Sequence, residues 1–152
     1  MKLLIINTTI AFLLILSFNL YSQVNTNEEI IQCIEFTIGC RTIHGDGKFV
    51  IKNNDEYIKL LENNRSPHPD CINYELPYID FNQNTLIGYE SGISGCDFPT
   101  VSYQVMKTDN NYIFKINIIQ KGNCKRSNLI NTWCLIPKIE NESMVEFKIN
   151  IF

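Results

Sequence analysis

The sequence predicts an α+β domain, mainly antiparallel sheet of about six or seven strands with one short helix, stapled by disulfides. Three observations carry this. Val101–Gln120 reads as a β-hairpin, because Val101, Tyr103 and Val105, then Tyr112, Phe114, Ile116 and Ile118, alternate with polar residues around Thr108-Asp109-Asn110-Asn111. Only one amphipathic helical run stands out, near 54–63. All six cysteines lie beyond a hydrophobic leader.

The leader comes first. Met1-Lys2 is a basic end, Leu3–Phe18 an apolar run, and Leu20-Tyr21-Ser22 a region closing on a small residue, so 1–22 reads as a secretory signal peptide. Asn7, Thr8 and Thr9 interrupt the run and no basic flank follows it, which disfavours a membrane anchor. No cysteine follows directly, which argues against a lipoprotein. Residues 23–152 are then one secreted or periplasmic domain, roughly 130 residues with a real core.

The formal net charge is −3, one more negative without Lys2, with acids and bases interspersed. Such a balance argues against a nucleic-acid or anionic-membrane partner.

Along the chain, Asn25–Ile43 supports two readings: Thr26 and Glu29 fit a helical capping box, whereas Ile34, Phe36 and Ile38 alternate as a strand from about Cys33, which is favoured. His44-Gly45-Asp46-Gly47 is a turn and Phe49-Val50-Ile51 a strand. Asn53 or Asn54 caps the helix, with Asp55 and Glu56 in its first turn and Tyr57, Leu60 and Leu61 on its apolar face. Arg65–Asn73, with two prolines, is loop. Thr85–Glu90 is a strand, Ser91–Pro99 a glycine-containing loop, Lys121–Asn131 a polar loop, Thr132–Ile136 a strand with Trp133, and Val145–Ile151 the cleanest half-buried strand.

The hairpin register predicts one disulfide. A turn centred between Asp109 and Asn110 puts Val101 opposite Ile118 and Cys96 near Asn123, so Cys96 bonds Cys124. A strand–helix return suggests Cys40–Cys71, and elimination leaves Cys33–Cys134. Metal binding is disfavoured, since no two cysteines have C-x-x-C spacing and only His44 and His68 could assist. Neither histidine lies beside a nucleophile motif, the glycine loop leads into a strand rather than a helix, and no carboxylate pair is singled out. No cofactor, metal or catalytic residue is therefore assigned.

FVIKNNDEYIKLL, YIDFNQNTLIGYESG, the hairpin and LIPKIENESMVEFKI together form an ordered pattern that resembles the C-terminal domain family of the protease-complex subunit PrcB, over roughly Phe49–Ile149. The resemblance implies a small exported β-rich domain that associates with a secreted protease. It departs where that family carries a Gly-Gly-Tyr loop before the hairpin: here SGISGCDFPTVSY stands, with only Tyr103 matching.

The expected function is a non-enzymatic accessory module acting through protein–protein contact, with a secreted protease a candidate partner. A small-ligand or glycan-binding domain, with a pocket between sheet and helix, is the alternative, and a hydrolase the third. The expected binding face is the open end of the hairpin, with Ile93 and Phe98 as anchors and Lys125 and Arg126 as rim charges.

Overall fold

A computed structural model describes residues 28–42, 46–109 and 111–152. The signal-peptide reading of 1–22, the Thr26 cap and His44 lie outside them. Among the described residues no helix is long and apolar enough to cross a membrane.

Among the described residues, eight strands and one α-helix follow in the order β1 (Glu28–Ile31), β2 (Ile34–Phe36), β3 (Gly47–Ile51), α1 (Asn54–Glu62), β4 (Asn84–Ser94), β5 (Asp97–Thr108), β6 (Asn111–Lys121), β7 (Ser127–Pro137) and β8 (Val145–Ile151). They build two four-stranded sheets, β1-β5-β6-β8 and β2-β7-β4-β3. The α+β class holds, with more strands than predicted because β1 and β2 are separate.

The central hairpin has the predicted register: Val101 pairs with Ile118 and Thr108 with Asn111. Asp109 takes the left-handed backbone of the turn, φ 47°, a conformation that short polar side chains tolerate. All ladders are antiparallel except β6 with β8. β7 lies between them in the chain but in the other sheet, so the chain returns to the first sheet running in its earlier direction.

Period-two alternation places Ile87, Tyr89 and Ile93 of β4 and Ile130, Cys134 and Ile136 of β7 against Val105, Phe114, Ile116 and Ile118 of the hairpin. The opposite face of β4 and β7 carries Leu86 and Trp133, which pack with Ile51, Tyr57 and Leu60 into a second core under α1. The helix begins where expected. The Asn53 side chain accepts from the Glu56 N–H at 2.9 Å, capping one end donor, and Glu56 Oε2 accepts from the Lys52 N–H at 2.9 Å, fixing the chain just before the cap.

Trp133 stands opposite Gly88 in the β4–β7 ladder. The indole lies across the glycine, where a Cβ would collide with its six-membered ring. Glycine here makes room for the largest side chain of the second core.

Two of the three disulfides sit where the chain changes sheet. Cys33, between β1 and β2, bonds Cys134 of β7, and Cys96, between β4 and β5, bonds Cys124, between β6 and β7. Cys40 bonds Cys71, tying the segment after β2 to the loop after α1. These are the pairs that register and elimination suggest.

Candidate functional site

The predicted binding loops are much shorter than expected. β4 continues beyond Glu90 to Ser94, pairing with β7 as far as Ser94↔Ser127. β5 begins at Asp97, so most of Ser91–Pro99 is strand, and only Gly122–Arg126 of the second segment is loop. Long cross-strand pairing overrides the weak strand preference of Ser91, Gly92 and Ser94.

What remains is a tight double corner. The Cys96 N–H donates to Lys121 O at 2.7 Å and the Gly95 N–H to Arg126 O at 3.0 Å. Buried Asn128 donates from Nδ2 to Gly95 O and Asp97 O, at 3.3 and 3.0 Å. Gly122 has φ 72°, and a Cβ there would press on the Cys96 sulfur, so the corner demands glycine on two grounds.

The four candidate residues separate at this corner. Ile93 is 8% exposed and belongs to the inter-sheet core; as a binding residue it is corrected, because the extended β4 puts it in phase with Ile87 and Tyr89. Phe98 is 66% exposed, and the Arg126 guanidinium lies 5.6 Å from its ring centroid, within cation–π range. Lys125 is exposed in the same loop.

A second polar constellation escapes sequence reading. Arg41 pairs with Glu90, their side chains only 2% and 3% exposed. The Arg41 guanidinium also lies 5.5 Å from the Phe49 ring and 5.6 Å from Trp133, and its Nε donates to Leu60 O at 3.2 Å. The backbone around it is fixed by Cys40–Cys71 and by the Ser66 N–H to Cys40 O and Thr42 N–H to Asn64 O bonds, 2.8 and 2.6 Å. Burial lowers the Arg41 pKa and raises that of Glu90, and their mutual attraction opposes both shifts. Alternation assigns Glu90 to the face away from Tyr89, and only the docking of α1 and the Arg41 segment makes that face interior.

Beside this pair lies a recess of about 100 Å³ lined by Arg41, Thr42, Asp46, Phe49, Asn64 and Glu90. That is below the roughly 300 Å³ at which small-molecule pockets begin. Ser91 donates a hydrogen bond to Asp46 at its edge. The space between α1 and the sheet, where the ligand pocket of the alternative function would lie, is occupied by Tyr57, Leu60 and Trp133.

His68 is a turn residue: its Nδ1 accepts from the Asp70 N–H at 3.4 Å as Pro69–Cys71 forms a short 3-10 turn. All six cysteines are in disulfides. Among the described residues no three His, Cys, Asp or Glu side chains cluster as a metal site would require. Comparison with protein-family models, curated proteins and solved structures found no match.

Proposed function

We propose that the chain is an exported, non-enzymatic binding module that acts through protein–protein contact. The observation that carries this reading is the exposed Phe98 ring stacked by Arg126 on a disulfide-held corner. Aromatic and arginine side chains dominate the energetics of protein interfaces. A corner already fixed by Cys96–Cys124, the Asn128 clamp and Gly122 loses little further entropy on contact. Three disulfides suit an oxidising compartment, in keeping with export by the 1–22 leader. A secreted protease is the partner suggested by the resemblance of Phe49–Ile149 to the PrcB C-terminal domain family.

The test is a photo-crosslinking residue at position 98 in the source cell, with a second at exposed Ile72 as control, followed by affinity measurement on the captured protein. Specific capture from position 98, and a loss of affinity of about tenfold or more in Phe98→Ala with unchanged stability, supports the reading. Equal capture from both positions, or full affinity in Phe98→Ala, overturns it.

A further inference from the structure

Resting on that reading, we infer that the partner contributes an extended segment that adds as a strand to the open edge of β5, in line with β1. The backbone directions show why this edge is available. The Phe152 N–H donates to Ile118 O and the Gln120 N–H donates to Phe152 O, so the even-numbered residues of β6 turn their backbone groups toward β8. Its odd-numbered residues therefore face β5. Through the pairs Ser102↔Asn117 and Gln104↔Lys115, the even residues of β5 are bonded to β6. The N–H and C=O groups of Val101, Tyr103, Val105 and Lys107 point to the other side.

On that other side β1 covers only part of the strand. Its ladder runs from Glu28↔Thr108 to Ile31↔Val105 and stops, because Cys33, bridged to Cys134, draws the chain across to the second sheet. Among the described residues, Val101 and Tyr103 thus offer two successive pairs of donor and acceptor with no strand beside them. Next to them is a groove of about 410 Å³ lined by Ile30, Ile31, Cys33, Glu35, Val101 and Tyr103, among others. Tyr103 is set firmly in its wall, edge-on to Phe114 at 5.9 Å between centroids. Unpaired strand edges are ordinarily blunted by charge, proline or a cover. Here Pro99 blunts only the start of β5, and of the exposed apolar side chains Ile30 lines the groove while Phe98 stands on β5 itself.

The charges around the edge define the occupant further. Glu35 lies at the groove and Glu28 and Glu29 are on β1. At the other end of β5, Asp97 stands opposite Lys121 in the ladder and the Arg126 guanidinium lies over Phe98. An extended segment with a basic residue toward Glu35 and an acidic residue toward Arg126 matches both ends. Main-chain hydrogen bonds would supply the affinity, and the end charges and alternate side chains the selectivity.

The intact protein can be tested without its native partner. In the free protein, hydrogen exchange followed by NMR should find the Val101 and Tyr103 amides exchanging on the order of 100-fold faster than those of Ser102 and Gln104. The probe is an acetylated, amidated peptide, Lys-Ser-Val-Thr-Val-Ser-Glu, added during the same measurement. Protection of both amides on titration, with binding weakened at least about tenfold by N-methylation of the peptide's alternate amides, supports strand addition. Val101→Pro, which removes a donor that bonds nothing among the described residues, should weaken the unmodified peptide similarly. If the two amides are already as protected as their neighbours, or if N-methylation leaves affinity unchanged, strand addition at β5 is overturned. Capture of a partner from position 98 would still stand in that event, so the two proposals fail separately.

Discussion

Arg41 and Glu90, 49 residues apart in the chain, form a buried ion pair beneath the helix layer, with the guanidinium against the adjoining rings of Phe49 and Trp133. Removing one partner leaves the other charge buried, so Arg41→Met or Glu90→Leu alone should cost about 3–5 kcal/mol. The double variant Arg41→Met/Glu90→Leu should recover most of that loss, because desolvation of both ions is removed with their attraction. A double-mutant cycle in urea measures this; additive losses would show that the pair is not coupled.

The same pair sets a pH dependence. Burial holds the Glu90 carboxyl above its ordinary value in the folded protein. Above the unfolded carboxyl value the unfolded chain releases this proton while the folded chain keeps it. The Glu90 contribution is therefore fully present below the unfolded value and is lost as pH rises through the folded one. Stability curves of the native protein and Glu90→Gln should differ by this downward component, measured by urea midpoint from pH 4 upward. Curves that stay parallel would contradict the assignment.

The three disulfides should differ in weight. Sequence separations are 101 for Cys33–Cys134, 31 for Cys40–Cys71 and 28 for Cys96–Cys124. Loop entropy then gives about 4.7 kcal/mol for the first and about 3–4 kcal/mol for each of the others. Paired Cys→Ser variants, compared by chemical denaturation, should lose most stability when Cys33–Cys134 is removed and less, by similar amounts, for the other two.

Gly88→Ala should destabilise by about 1–3 kcal/mol, since the added methyl displaces Trp133 from a filled core. Trp133→Phe in the same background should restore part of the loss, and tryptophan fluorescence of Gly88→Ala alone should report the displaced ring. An unchanged spectrum and unchanged stability would refute this packing relation.

Much of the fold was legible because its signals are local. The alternation of Val101–Gln120 and the short polar turn set the hairpin register, and that register led to Cys96–Cys124. Asn53, Asp55 and Glu56 marked the helix start. Ser91–Ser94 was misread because its residues have weak strand preference, and its pairing partner, Ser127–Ile130, lies far along the chain. The same long-range pairing buries Ile93. Glu90 and Arg41 were missed because a polar residue in an alternating strand is normally solvated, and the chain segments that cover this one come from 40–64. Of the candidate binding residues, Phe98 and Arg126 come together because the corner is tight, a property fixed by Asn128 and Gly122, which no short motif announces.

The interleaving of the two sheets also governs how the chain can be made. The first sheet takes β1, then β5 and β6, then β8, while the second takes the strands between. A chain emerging from its N-terminus therefore completes the second sheet with β7, by Pro137, while the first still waits for Val145–Ile151 to line β6. Contacts so distant in sequence form slowly. The nascent polypeptide consequently stays open along β6 until Val145–Ile151 docks there.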